Sequence, residues 1–186
     1  MNPVQKVILD RRSTRGFDET PLTQAQLKQL IDAALASPSA MNRQPWHFAF
    51  VTDRTILAEF NIAFREMAMK NATEDMRERF ADPAYDLFFG APLFVAITSD
   101  PDQAHAYTGV DCGIAVQNLA LSAMGMGLGS VILGMPRDVF ASEKGAYYKE
   151  KMGIPAGNAY TVGIVIGNAN TTKDAHPVFE NRYTVI

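Results

Sequence analysis

The first third of the chain alternates between helix-like and strand-like spacing of its apolar residues. Thr23 and Gln26 have the spacing of a helix-capping box, and apolar residues follow at helical intervals until Pro38 ends the pattern. The run over 46–51 is aromatic and β-branched, which is typical of a strand. We therefore predict a helix over 3–10, a helix from Thr23, a strand over 46–51 and a helix from 52–53 to 69.

The remainder of the chain contains two strongly apolar segments of different kinds. Residues 93–98 form a continuous apolar run, as expected for a strand buried on both faces. Residues 107–124 have helical spacing but are apolar on nearly all sides, so this helix needs protein around it, as a central helix or at a subunit interface. We also predict strands over 130–133 and 160–166, one helix between them over 137–152, and a polar, irregular tail after Gly167.

This succession of helices and short strands predicts a single α+β domain of layered architecture over residues 1–186. The chain is 47% hydrophobic and 20% charged, which is typical of a folded domain and excludes extended disorder. Its formal charge of -3 provides no general attraction for nucleic acid. Polar residues and glycines interrupt the most apolar region, 113–135, so we expect no membrane partner.

The cysteine and histidine residues exclude several kinds of site. Cys112 has no partner for an intramolecular disulfide, and residues 1–13 lack a secretory signal, so we expect a reducing, cytoplasmic setting. On its apolar helix, Cys112 is expected to be a small, buried apolar residue that packs in the core. No serine lies in a nucleophile elbow, which excludes a serine hydrolase of that type. No metal site is expected, because the histidines are far apart in sequence: His47, His105 and His176.

Residues 64–86 are charged and rich in methionine, and we predict an irregular segment that forms a lid or channel wall. The alternative is that its methionines only pack the core. Within it, Glu74 and Asp75 are neighbours on a helical pattern, so their carboxylates do not face each other. We interpret this acidic pair as part of a solvated face.

A cluster of arginines and hydroxyl residues follows the first predicted helix. It consists of Arg11, Arg12, Ser13, Thr14 and Arg15. Guanidinium and hydroxyl groups this close together are suited to holding a phosphate by charge-assisted hydrogen bonds. The alternative is that the cations only complement the dipole of the preceding helix and remain solvated.

Two further loops are candidates for ligand binding. The loop over 37–46 offers amides, hydroxyls and a carboxamide, which suit the edge of a polar heteroaromatic ligand; alternatively it is a turn in which Trp46 anchors the core. The glycine-rich run over 125–130 precedes a strand, whereas phosphate loops follow one, so we reject that assignment. We interpret it as a helix C-cap and a tight strand entry, with Gly134 allowing a flat ligand to approach the backbone.

Four segments occur in an informative order. They are ILDRRSTRGF at 8–17, SPSAMNRQPWHF at 37–48, GVDCGIAVQNLALSAMGMGLG at 109–129 and GIPAG at 153–157. Together, over most of the chain, they resemble the FMN-dependent nitroreductase family. The resemblance implies a three-layer α-β-α sandwich, with a mixed, mostly antiparallel sheet around a central helix. It also implies an intertwined homodimer with FMN sites at the subunit interface.

The resemblance implies site residues at the positions of this chain that match the family's motifs. Those matching the family positions that hold the FMN phosphate and ribityl chain are Arg11, Arg12, Ser13 and Arg15. Those matching the isoalloxazine edge, contributed in the family by the other subunit, are Pro38, Ser39 and Asn42. Those matching the strand end near the flavin ring are Ile132, Leu133 and Gly134. Many relatives carry a further C-terminal cation near the phosphate, and the unassigned candidates here are Lys173, His176 and Arg182.

The implied reaction is a ping-pong oxidation of NADH or NADPH. A hydride passes to flavin N5, and an electron-poor small molecule such as a nitroaromatic or a quinone is then reduced in the same cleft. The chemistry belongs to the flavin, so no side chain is assigned as a covalent catalyst. One alternative, suggested by the unassigned C-terminal cation, is a flavin-binding or flavin-sequestering protein without turnover. Another is a specialised dehalogenase, flavin-destroying enzyme or single-metabolite reductase.

Overall fold

The computed structural model describes residues 1–186, apart from the side chains of Asn71 and Asp75. The second residue of the acidic pair considered above therefore lies outside the described side chains. The elements in chain order are α1 (Pro3–Asp10), α2 (Gln24–Leu35), β1 (Trp46–Val51), α3 (Arg54–Asn71), α4 (Glu74–Ala81), β2 (Leu93–Ser99), α5 (Thr108–Gly125), β3 (Gly129–Leu133), α6 (Pro136–Phe140), α7 (Gly145–Lys151) and β4 (Ala159–Gly167).

Local side-chain signals account for the observed helix ends. The predicted capping box is present, because the Gln26 amide donates to Thr23 Oγ1 at 3.2 Å and the Thr23 amide donates to Gln26 Oε1 at 2.8 Å. Asp53 caps α3 by accepting from the amide of Thr55 at 2.8 Å. The predicted C-cap after α5 is also confirmed, since Gly127 has a left-handed φ of 76°.

The strands form one four-stranded sheet in the order β1-β2-β4-β3, with antiparallel pairing between neighbours. Every residue of the central strand β2 is buried, which confirms the prediction from its continuous apolar run. The pairing of β2 with β4 shifts between Ile97 and Thr98. Within the described chain, parallel pairing is found at an isolated bridge between Ser13 and Ser130. The sheet is therefore mostly antiparallel, as expected.

Two cores on opposite faces of the sheet give the predicted three-layer architecture. One is rich in aromatic rings and lies between the sheet and helices α3, α4, α6 and α7. The other is aliphatic and lies between the sheet and helices α2 and α5. Helix α5 is central to this second layer, because it contacts α1, α2 and all four strands. Within the described chain, no helix is both long and apolar enough to span a membrane.

The structure corrects two predictions. Residues 137–152 do not form one helix but α6 and α7, separated by a turn at which Gly145 approaches Phe140. A Cβ atom on Gly145 would lie 2.1 Å from the Phe140 carbonyl oxygen, so this turn requires glycine. The segment 64–86 is largely helical instead of irregular, being occupied by α3 and α4. Met67 and Met69 pack against the aromatic core, which favours the structural interpretation of these methionines.

Candidate functional site

An open cavity of about 260 Å³ lies where α1, the end of α5, the start of β3 and the C-terminal tail meet. Its walls come from three distant parts of the chain, and only the fold brings them together. The lining residues are Asp10, Arg11, Arg12, Thr14, Met124, Gly127, Leu128, Gly129, Ser130, Ala169, Thr171, Thr172 and Lys173. We call this the basic cavity.

The backbone of the arginine segment is fixed on both sides of this cavity. The Thr14 amide donates to the Ser130 carbonyl at 2.9 Å, which joins the segment to β3. The Asn170 amide donates to the Gly16 carbonyl at 3.1 Å, which joins it to the tail. A Cβ atom on Gly129 would lie 2.8 Å from Thr14 Oγ1, so the segment and the strand are in close contact. These contacts join the walls of the cavity to one another.

The three arginines of the cluster are not equivalent. Arg12 donates to the carbonyl oxygens of Leu9 at 2.6 Å and Arg11 at 3.0 Å, so it caps α1 as the dipole interpretation predicts. Arg15 is exposed and makes only a long 3.4 Å contact with the Ser13 carbonyl. Among the described side chains, none of the three arginines pairs with an acidic group. Their positive charge is therefore available to an anionic ligand.

Four predicted residues thus occupy one segment, although only two of them line the basic cavity. Arg11 and Arg12 line it, whereas Ser13 and Arg15 lie beside it in the same backbone segment. Thr14, whose hydroxyl belongs to the cluster predicted to hold a phosphate, also lines the cavity and is buried. The glycine-rich turn was interpreted only as a cap, yet Gly127 and Gly129 form part of the wall. The position of these glycines directly before a buried strand is the sequence signal for a place in the cavity wall.

The C-terminal tail contributes one cation to the cavity. Of the three candidates left open by the sequence, Lys173 is the one that lines it. The guanidinium of Arg182 lies 5.6 Å from the centre of the Phe179 ring instead. His176 is exposed and is absent from the cavity wall.

The second predicted group lies on the loop between α2 and β1. Pro38 and Asn42 are exposed and Ser39 is half-buried. Ser39 Oγ accepts from the Gln44 amide at 2.9 Å, and Asn42 Oδ1 accepts from Gln44 Nε2 at 3.0 Å. The loop contains three non-glycine residues with left-handed φ values, at Met41 (53°), Asn42 (52°) and Gln44 (46°). Such residues are uncommon and require support from their surroundings.

This loop is attached to the first turn and the middle of α5, whereas the basic cavity lies at the end of that helix. The Ala40 amide donates to Asp111 Oδ1 at 3.1 Å, and Asn118 Nδ2 donates to Ser37 Oγ at 2.9 Å. Asp111 lies in the first turn of α5, whereas Met124 of the cavity lies near its end. At a rise of roughly 1.5 Å per residue, these two positions are about 20 Å apart along the axis. One chain therefore does not bring the two predicted groups together.

The third predicted group forms the free end of the edge strand β3. Ile132 is 41% exposed, and Gly134 is exposed with no atom within 4 Å of its hypothetical Cβ position. Leu133 is buried, and its carbonyl accepts from the Tyr160 hydroxyl at 2.7 Å. Burial raises the pKa of Tyr160, which keeps this hydroxyl protonated as a donor. A flat ligand therefore has access to Ile132 and Gly134 but not to the Leu133 side chain.

The remaining reactive side chains support no other site. Cys112 is fully buried, and burial raises the pKa of its thiol to about 11, which confirms that it is a filler. Among the described side chains, no group of His, Cys, Asp or Glu is arranged to hold a metal ion. Together, the basic cavity and the open edge of β3 are suited to binding an extended anionic ligand.

Comparisons with known proteins identify the family to which this fold belongs. A sequence model described as the Nitroreductase family matches residues 8–168. A nitroreductase with bound FMN from Desulfitobacterium hafniense DCB-2 superposes with a TM-score of 0.92 at 30% identity, covering 100% of this chain and 99% of that chain. An FMN-dependent nitroreductase from Clostridium difficile R20291 gives 0.86 at 26%, covering 99% of each chain. The NADPH-flavin oxidoreductase of Vibrio harveyi is 30% identical over 193 residues, 98% of this chain and 75% of that protein. With its matched motifs and this fold, the chain belongs to the nitroreductase family.

Proposed function

We propose that this protein is an NAD(P)H-dependent FMN oxidoreductase that reduces an electron-poor small molecule such as a nitroaromatic or a quinone. The observation that carries the proposal is the basic cavity, whose arginines pair with no described acidic side chain. The FMN-bound relative supports the same cofactor here, and the NADPH-flavin oxidoreductase supports a nicotinamide co-substrate. We place the reaction in the cytoplasm, in keeping with the lone, buried thiol.

The donors of the basic cavity fit the phosphate of FMN. A phosphate monoester carries close to two negative charges at neutral pH and has three acceptor oxygens. Arg11 and Lys173 would supply charge, and the Thr14 hydroxyl would supply a neutral donor. Ser13 and Arg15 continue along the same segment and would contact the ribityl chain. Lys173 in the cavity wall favours this proposal over the alternative of a flavin-binding protein without turnover.

The free edge of β3 fits the flavin ring. Because the Ser130 carbonyl points away from β4 to meet Thr14, strand alternation directs the backbone groups of Ile132 to the same open edge. Fixed backbone donors at such an edge would stabilise negative charge on a reduced ring. Gly134 presents no side chain that would prevent a flat group from approaching. Ser39 and Asn42 would complete the polar edge from a second copy of the chain.

We further propose that the working form is a homodimer in which both copies contribute to each site. This is supported by the separation of about 20 Å along α5 between Asp111, which holds the Ala40 amide of the loop, and Met124 of the basic cavity. It is also supported by a stripe on α5 that its own chain covers only in part. We define the α5 stripe as Val110, Gly113, Ile114, Gln117, Leu121 and Met124.

A charge placed on the α5 stripe tests the dimer. Val110 is 58% exposed, and we expect Val110→Glu to yield a folded monomer by sedimentation velocity that has lost FMN. The matched control is Ile62→Glu, which charges an equally exposed position (55%) on α3 and should leave the dimer intact. A Val110→Glu variant that stays dimeric and keeps its flavin would contradict the shared site.

When bound, FMN supplies the redox chemistry, accepting a hydride from NADH or NADPH and passing reducing equivalents to the acceptor. The residues of the chain position the cofactor and stabilise its charge. The basic cavity fixes the phosphate end, and the open edge of β3 leaves room for a second flat molecule beside the ring. We propose that the nicotinamide and the acceptor use this space in turn, which is a ping-pong order.

The visible absorbance spectrum of the purified protein tests the proposal. We expect bound flavin absorbance that bleaches when NADH or NADPH is added without air, and that returns when a quinone or nitroaromatic is added. At FMN concentrations about a hundred times the dissociation constant, the folded state should gain roughly 2.7 kcal/mol. Colourless protein that gains neither absorbance nor thermal stability with FMN would overturn the proposed function.

A further inference from the structure

Asp111 is a buried carboxylate in the first turn of α5 that the proposed chemistry does not use. It is 2% exposed, and its Oδ1 accepts the Ala40 amide at 3.1 Å. Its Oδ2 lies 3.3 Å from Nε2 of His105, a contact whose alignment falls short of a hydrogen bond. Among the described side chains, that second oxygen has no hydrogen-bond donor. Such a group costs stability, so stability alone does not explain a carboxylate here.

The histidine beside it is itself held in one orientation. The Tyr107 amide donates to His105 Nδ1 at 3.3 Å, and the His105 amide donates to Thr108 Oγ1 at 2.9 Å. Because Nδ1 accepts this hydrogen bond, the other ring nitrogen, Nε2, is directed towards Asp111. The His105 ring therefore lies on one side of the carboxylate and the Ala40 amide on the other.

The amide that Asp111 holds begins the strained part of the loop. Ala40 opens a single turn of 3-10 helix, and the left-handed residues Met41, Asn42 and Gln44 follow it. Asn118, two helical turns along α5 from Asp111, holds Ser37 at the start of the loop. Two side chains on one face of α5 thus hold two points of the loop that presents Ser39 and Asn42.

We propose that Asp111 is a positioning residue that holds loop 37–44 in the conformation needed at the edge of the flavin. The proposal rests on the proposed function for its ligand, but the attachment itself is a property of the protein without flavin. Asp111 touches neither cofactor nor substrate in this account. It acts through the Ala40 amide, and the left-handed residues keep their geometry because this amide is fixed.

Two isosteric variants separate the hydrogen bond from the packing. Asp111→Asn keeps an oxygen that can accept from the Ala40 amide, whereas Asp111→Leu has a similar shape and no acceptor. Ala40→Pro removes the same hydrogen bond from the loop side, at the first position of a helical turn where proline is tolerated. Tyr148→Phe is the matched control, because it removes a hydrogen bond of 2.9 Å to the Glu59 carbonyl on the other side of the sheet.

The test combines amide hydrogen exchange of residues 37–44 in the flavin-free protein with the visible circular dichroism and affinity of bound FMN. In Asp111→Leu and Ala40→Pro we expect exchange about tenfold faster in the loop, altered dichroism and an FMN Kd about tenfold higher, the size of one lost hydrogen bond. Asp111→Asn should stay near wild type in all three measurements. Tyr148→Phe should lower the unfolding temperature without changing any of them.

Each contrary outcome has a distinct meaning. Loop exchange that is unchanged in both Asp111→Leu and Ala40→Pro would overturn the attachment. Faster exchange with unchanged flavin dichroism and affinity would overturn the role of the loop at the flavin edge. A wild-type protein that binds no FMN would overturn the proposed function, and the exchange rates would still decide whether Asp111 holds the loop.

Discussion

The two sides of the sheet bury apolar residues in different ways. On the side of α3, α4, α6 and α7, aromatic rings form a connected network in which Phe60 lies 4.8–5.8 Å from the rings of Tyr148, Phe140 and Phe88. On the side of α2 and α5, the buried cluster is made of aliphatic and small residues, with Trp46 and Phe48 only partly buried at its margin. The aromatic side is closed within one chain, whereas the aliphatic side leaves the α5 stripe in part uncovered.

This difference distinguishes a side that is closed by aromatic rings from a side that also carries groups suited to ligand binding. Large rings bury much area and interlock, so the aromatic side makes a large contribution to stability. The aliphatic side carries the polar groups that hold the loop, and α5 leads directly into the basic cavity. A change on the first side should therefore affect mainly folding, whereas a change to the groups that hold the loop or line the basic cavity on the second side should affect mainly ligand binding.

Truncation of the aromatic network should have the largest effect. Phe60 is fully buried, and we expect Phe60→Ala to lower the free energy of unfolding by about 3–5 kcal/mol, measured by urea denaturation. FMN affinity of the fraction that remains folded should be unchanged. The control Ile62→Ala, on the exposed side of the same helix, should stay within about 0.5 kcal/mol of wild type. A comparable loss in both variants would remove the contrast between the two sides.

Loss of one cation from the basic cavity should have a smaller and different effect. Arg11→Ala is expected to weaken FMN binding by about 1.5–3 kcal/mol, roughly 10- to 150-fold in Kd, because a hydrogen bond to a charged phosphate is lost. The free energy of unfolding should change little. Arg79→Ala removes an arginine that lies 5.4 Å from the Tyr85 ring on the aromatic side, and it should leave FMN affinity unchanged. Equal flavin affinity in all three proteins, measured by fluorescence titration, would contradict this placement of the phosphate.

The buried thiol of the aliphatic side should give the smallest effect. Since burial raises the Cys112 pKa from 9.0 to about 11, the native protein should resist iodoacetamide at pH 8 and react only when unfolded. Between pH 9 and 11 the unfolded chain releases this proton while the folded chain retains it, so the thiol contributes a decrease in unfolding free energy as pH rises. The control Cys112→Ala should lack this contribution. Rapid labelling of the native protein at pH 8 would show that α5 is less well covered than described.

Sequence patterns predicted those elements whose ends are determined by neighbouring side chains. The capping box at Thr23, the buried run of β2 and the glycine cap after α5 depend on local chemistry, and all are observed. The break between α6 and α7 was missed because helical spacing continues across it. Its glycine is required by a close approach to the Phe140 carbonyl, which spacing does not reveal.

The site was predictable where one segment contains several of its residues, and less so where the fold assembles it. The three arginines after α1 lie within five residues, so the sequence shows this cluster directly. Lys173 enters the cavity because the tail pairs with Gly16, a contact between opposite ends of the chain. The contact of Asp111 with Ala40 spans 71 positions and passes through a backbone amide, which has no side-chain signature.

The basic cavity draws its walls from residues 10–14, 124–130 and 169–173, near the beginning, in the last third and close to the end of the chain. Contacts between such distant segments form slowly compared with local helices. During synthesis the N-terminal part emerges first, and the wall that contains Lys173 follows only after all four strands have been translated. A nascent chain thus completes the walls of its anion-binding cavity only after the whole sheet has been made. Capture of the flavin phosphate that requires all three walls would therefore report that the sheet is already present.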